Sequence, residues 1–151
     1  MYRYISKQKL NISIEEAWLF LSNPTNLKII TPPHMSFEVI SGADRAIYAG
    51  QVIRYKVRPL FGIPLTWVTE ITHVNQGSYF VDEQRFGPYT FWHHKHFIKA
   101  VKGGVEMEDI VDYKIPFGVI GTLAHKIFIR REIRDIFEFR RKKLNEIFRR
   151  D

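Results

Sequence analysis

Cysteine is absent from all 151 residues. That excludes disulfides, thiolate metal ligands and a cysteine nucleophile, and it suits a reducing compartment. No stretch approaches the roughly 18 consecutive apolar residues that a membrane-crossing helix needs. The opening MYRYISKQKL alternates like a strand and lacks the apolar run of a secretory signal. Internal repeats, low-complexity tracts and linkers are also missing, so the expectation is one domain over residues 1–151, soluble and cytoplasmic. What the chain does hold is apolar and aromatic residues, 45% and 15% of it, enough to build one core or one cavity.

The formal charge of +7 is unevenly spread. Between Ile120 and Asp151 ten Lys or Arg stand against five acids. Ile133, Ile136, Phe137, Leu144, Ile147 and Phe148 recur there at helical spacing, which predicts a long amphipathic helix with a basic remainder. Charge of this kind is ordinarily a solvated face. No base-stacking aromatics are interleaved with the arginines, so nucleic acid is not an expected partner.

Turn chemistry divides the rest. Residues 2 to 10 read as a strand, and Ser13-Ile14-Glu15-Glu16 is a capping box that opens a short helix to about Ser22. Asn23-Pro24 opens a second short helix, which Thr31-Pro32-Pro33 stops. Strands follow near 35–41, 50–58, 65–75, 78–86, 90–102 and 105–115, separated by glycine turns. The pattern predicts an α+β fold: a curved antiparallel sheet of about seven strands gripping a long C-terminal helix, with two short helices after the first strand.

Strand alternation then assigns faces. A two-residue hairpin at Gly103-Gly104 pairs Lys102 with Val105, Lys95 with Asp112 and Lys99 with Glu108, which marks a charged solvent face. Trp92, His94, His96 and Ile98 fall on the other face, opposite Ile115, Tyr113, Val111 and Asp109, with Asp109 diagonal to His96. His93 points outward. A hairpin at Gln76-Gly77 pairs Trp67 with Phe86, Thr69 with Gln84 and Ile71 with Asp82, adding Phe80, Asp82 and Gln84 to the inner wall beside Trp67. Each unpaired buried polar group costs roughly 1–3 kcal/mol, so these groups either pair with one another or line a cavity. Trp67, Phe80, Asp82, Gln84, Trp92, His94, His96, Asp109 and Tyr113 are the expected lining, an apolar surface with a few placed polar groups.

The motifs FVDEQRFGPYTFWHHKH and MEDIVDYKIPFGVIG, set in this order of elements, resemble the START-like or SRPBCC superfamily, near its bacterial polyketide cyclase and coenzyme Q-binding branches. The resemblance covers essentially the whole chain and implies a helix-grip fold with a deep cavity between sheet and C-terminal helix. The superfamily holds enzymes and pure binders alike, so it does not settle function.

Several uses of the polar wall stay open. A metal could take His94, His96 and Asp109, but register places no third histidine and His34 is the only free one; no metal or cofactor is expected. A cyclase- or dehydratase-type enzyme would use His94 or His96 as base, oriented by Asp109, with Tyr113 as oxyanion donor. Polar core residues that simply satisfy one another need no ligand. The reading adopted is binding of a hydrophobic small molecule with a polar head, such as a lipid, an isoprenoid or quinone, or a polyketide-like compound. PLFGIPL (59–65) and IPFGVIG (115–121) are apolar for loops, which raises transient contact with an anionic membrane surface beside Lys126, Arg130, Arg131 and Arg134.

Overall fold

Apolar and polar residues alternate between turn signals, and a computed structural model describing residues 1–59 and 62–149 joins the resulting strands in one antiparallel sheet. The strands are β1 (Tyr2–Leu10), β2 (Glu38–Ser41), β3 (Gln51–Val57), β4 (Leu65–Asn75), β5 (Tyr79–Phe86), β6 (Phe91–Val101) and β7 (Gly104–Lys114). Their spatial order, β1-β7-β6-β5-β4-β3-β2, is a meander from β2 to β7 closed at one edge by β1. Helix α1 (Ile14–Leu21) and two 3-10 turns (Pro24–Lys28 and Pro33–Met35) connect β1 to β2. After β7 come α2 (Gly118–Ala124), a π-helical turn (His125–Ile129) and α3 (Arg130–Ile147), which run on without a break. This is the α+β helix-grip architecture that the sequence predicts. Among the described residues no helix is long and apolar enough to cross a membrane.

The capping box forms as expected: Ser13 Oγ accepts from Glu16 N–H at 3.1 Å, and Glu16 Oε2 accepts from Ser13 N–H at 2.9 Å. The second short helix is instead a 3-10 turn, Pro24–Lys28, and a further 3-10 turn, Pro33–Met35, follows the expected stop. Asn23 Oδ1 caps the first by accepting from Thr25 N–H at 3.1 Å, and Pro33 opens the second at a position where its missing N–H costs nothing.

The β6–β7 hairpin differs from expectation by two residues. Val101 pairs with Gly104, so the turn is Lys102-Gly103, with Gly103 at φ +85°. Gly104 belongs to β7, where a Cβ would sit 2.0 Å from the Leu10 carbonyl oxygen of β1. Lys99 therefore pairs with Glu106 rather than Glu108, and His96 lies directly opposite Asp109. Because side chains alternate with period two, a slip of two leaves every residue on its expected face. Between β4 and β5 the Thr69–Gln84 and Ile71–Asp82 pairs are as expected, but register shifts on either side put Val68, not Trp67, opposite Phe86.

Helix α3 grips the sheet through Ile133, Phe137, Arg140 and Leu144. Ile133 and Phe137 pack with Val111 and Tyr113, while Leu144 joins Leu10, Ala17, Ile98, Val105 and Met107. A third cluster, Phe37, Ile53, Tyr55, Val57 and Ile71, lies under β2–β4. Leu144 is fully enclosed, so Leu144→Ala is expected to cost about 2–5 kcal/mol in a urea titration. Leu19→Ala, on the exposed side of α1, should stay within about 0.5 kcal/mol of the parent. Similar losses for both would show that α3 does not anchor the fold.

Candidate functional site

Between these apolar clusters lies a cavity of about 180 Å³. Leu27, Ile30, Met35, Ile53, Ile136 and Phe137 contribute apolar wall, and Asp82, His94, His96 and Arg140 form a charged end. The expected residues Trp67, Phe80 and Trp92 are also on the wall. Trp67 and Trp92 meet edge to face at 5.2 Å, and Phe80 stacks on the His96 ring at 4.0 Å.

Strand pairing assembles the charged end. Asp82 of β5 lies opposite His94 of β6, and His96 of β6 lies opposite Asp109 of β7. All four alternate onto the inner face, so the acids can also reach the histidines diagonally. His94 donates Nε2–H to Asp109 Oδ1 at 2.9 Å, and His96 donates Nε2–H to Asp82 Oδ2 at 2.6 Å. His96 Nδ1 is a further 3.0 Å from Asp109 Oδ1, and His94 Nδ1 lies 3.6 Å from Asp82 Oδ2. Thr69 Oγ1 approaches the other Asp82 oxygen at 3.4 Å.

Burial opposes charge on every one of these groups, and their partners decide which stay charged. Asp109 is held well below the usual carboxylate range because hydrogen bonds from His94 and His96, and the nearby Arg140, outweigh desolvation. Asp82 is lowered for the same kind of reason, with His96 its main partner. Desolvation also works against His96, but two carboxylates raise it, whereas desolvation and the neighbouring His96 lower His94. The directions favour charge on the two carboxylates and on His96 over His94.

Arg140 is the residue that strand reasoning missed. It is buried on α3, its Nη1 reaches Asp109 Oδ1 at 3.5 Å, and its guanidinium lies 4.8 Å over the Phe137 ring. Among the described residues, its Nε is the buried side-chain polar atom without a hydrogen-bond partner. The signal is present in the sequence. Ile133, Phe137, Arg140 and Leu144 recur at spacings of four, three and four, so an arginine occupies the apolar stripe of the helix.

Three expected lining residues are placed elsewhere. Gln84 spends its amide on the turn after β5, donating to the Tyr89 carbonyl at 2.7 Å and accepting from Tyr89 N–H at 3.2 Å. Tyr113 donates its hydroxyl to His125 Nε2 at 2.8 Å, and Tyr2 stacks on that imidazole at 3.5 Å. Asp109 sits behind the histidines rather than on the cavity wall. His93 points outward, 3.5 Å from Glu83, and His34 meets Glu132 at 3.2 Å, so neither joins the cluster.

No protein-family model and no curated protein sequence matches the chain. Solved structures do. Protein CV1439 from Chromobacterium violaceum superposes with a TM-score of 0.75 at 10% identity, covering 99% of this chain and 98% of its own. TTHA0849 from Thermus thermophilus gives 0.71 at 14% identity, covering 96% and 95%. Protein Ms6760 from Mycobacterium smegmatis gives 0.67 at 13% identity, covering 96% and 92%. At these identities the likeness shows the fold.

Proposed function

We propose that this chain is a binding protein for an apolar small molecule whose oxygen-bearing head seats at the Arg140 end of the cavity. The observation that carries the reading is the unpaired Arg140 Nε in a cluster that is otherwise hydrogen-bonded, at the polar end of an apolar chamber. A buried donor without an acceptor costs about 1–3 kcal/mol, and a ligand carbonyl, carboxylate or hydroxyl oxygen would recover it. The START-like resemblance points the same way, to lipid, isoprenoid or polyketide-like ligands. The cyclase or dehydratase alternative loses its oxyanion donor, because the Tyr113 hydroxyl is bound to His125 away from the cavity.

Delivery from a membrane belongs to the same proposal, with a cytoplasmic location. Phe117, Val119, Ile120 and Leu123 are all well exposed along α2, followed by exposed Lys126, Arg130, Arg131 and Arg134. Apolar side chains beside cations fit a bilayer with anionic head groups. The other apolar loop, 59–65, includes residues 60 and 61, which lie outside the described residues.

Decanoate is a suitable probe, and Trp67 and Trp92 on the cavity wall are the reporters. Saturable fluorescence change is expected on titration. Arg140→Met should weaken binding about 10- to 100-fold, the worth of a charge-assisted hydrogen bond. No response to decanoate or decanol, together with no co-purifying small molecule in native mass spectrometry, would overturn the reading. Undiminished binding by Arg140→Met would move the head away from α3.

A further inference from the structure

The charged end has two layers, and their order is that of a metal site. Asp109 lies behind, and its single oxygen Oδ1 contacts both rings, His94 Nε2 at 2.9 Å and His96 Nδ1 at 3.0 Å. The rings therefore turn their opposite nitrogens, His94 Nδ1 and His96 Nε2, toward Asp82 on the cavity wall, at 3.6 and 2.6 Å. When both imidazoles give their N–H to Asp109, two lone pairs and a carboxylate converge on one spot. Only a cation holds such a set together.

We propose that the same spot takes a divalent transition-metal ion of the zinc or iron(II) class, bound by His94 Nδ1, His96 Nε2 and the Asp82 carboxylate, with Asp109 as the residue that orients both histidines. The three donors lie within 4.8 Å of one another. Metal–nitrogen and metal–oxygen distances of about 2.0–2.2 Å require tetrahedral donor separations of about 3.3 Å. The His94–Asp82 distance of 3.6 Å is close to that already, and the His96–Asp82 distance of 2.6 Å has to widen by about 0.7 Å to admit the ion. Two imidazoles and one carboxylate without thiolate suit zinc or iron(II) better than calcium or magnesium, which favour all-oxygen sets. The carboxylate behind fixes the tautomers, as outer partners of metal-bound histidines do.

Charge sets what else would bind. With neutral imidazoles, Asp82, Asp109 and Arg140 leave one net negative charge, so a divalent ion leaves one positive charge. An anionic oxygen on the open side of the metal, facing the cavity and Arg140, restores neutrality. The inference thus deepens the proposed function and selects an acid or enolate head over a neutral alcohol, although metal binding itself needs no organic ligand.

The test starts from chelator-stripped protein titrated with cobalt(II), which reports coordination by its visible absorption, and with zinc in competition against a chromophoric chelator. One ion per chain at micromolar concentration is expected. Asp82→Asn and His94→Gln should each weaken binding at least about 100-fold, and Asp109→Asn about 10- to 100-fold with a changed cobalt spectrum. His93→Gln, which alters the outward histidine, should bind as the parent does. Less than one ion per chain, or equal binding by the parent, Asp82→Asn and His94→Gln, would overturn the site. A decanoate titration in the presence of chelator separates the two proposals: the binding reading stands or falls there, whatever cobalt does.

Discussion

Asp109→Ala is expected to lower the unfolding free energy by about 3–5 kcal/mol, the usual cost of removing one partner from a buried ion pair. Three groups lose their acceptor at once: His94 Nε2, His96 Nδ1 and the Arg140 guanidinium. Bulk water is a poor substitute, since His94 and Arg140 are buried and Phe80 stacks on the His96 ring. The companion Asp109→Leu with Arg140→Met should recover only the share that comes from stranding Arg140, because His94 Nε2 and His96 Nδ1 stay without that acceptor. It removes both charges together and leaves an apolar pair where the helix stripe already expects one. Urea denaturation of the parent, the single variant and the double variant reads this directly. A loss under about 1 kcal/mol for Asp109→Ala would mean that water reaches the carboxylate and that the cluster is not closed on its sheet side.

The contrast between Asp109 and Arg140 shows what strand alternation can and cannot reveal. Asp82, His94, His96 and Asp109 share a face because each lies an even number of residues from its inward neighbours along its own strand. A two-residue shift in the hairpin cannot disturb that. The shift arises because Gly103 and Gly104 both look like turn residues, whereas one makes the turn and the other admits the Leu10 carbonyl. Alternation tells which way a side chain points but not what meets it there. Tyr113 is inward as expected, yet His125 arrives from the π-helical turn and takes its hydroxyl. Gln84 is diverted by the Gly87–Tyr89 turn only a few residues away. Arg140 is legible only when the helical period is read for a polar residue inside the apolar stripe, and its partner lies on a strand 31 residues away.

Anionic vesicles are expected to sediment this protein at low salt, and neutral phosphatidylcholine vesicles are not. The reason lies in a conformation that folding alone does not favour. Phe117 is 79% exposed and adopts φ +71°, in the left-handed region that costs a residue with a side chain about 1–2 kcal/mol. Gly118 follows at φ +51°, and Gly121 packs so close to the Pro116 carbonyl that a Cβ would lie 2.0 Å from its oxygen. The turn is thus tightly determined, and it leaves the Phe117 ring exposed, as Ile120 and Leu123 are. Lys126 and Arg130 add about 1 kcal/mol each near an anionic surface. Arg131 and Arg134 contribute less, because Asp135 and Glu138 are already beside them. Lys126→Gln with Arg130→Gln should therefore weaken vesicle binding about 30-fold, and added salt should do the same. Phe117→Gly separates docking from stability: it relieves the left-handed strain, offset by about 0.5–1 kcal/mol of glycine entropy, so the fold is unharmed while binding falls sharply. Equal binding to neutral and anionic vesicles, or full binding by Phe117→Gly, would remove α2 as the docking face and return its apolar residues to a role within this chain or between copies of it.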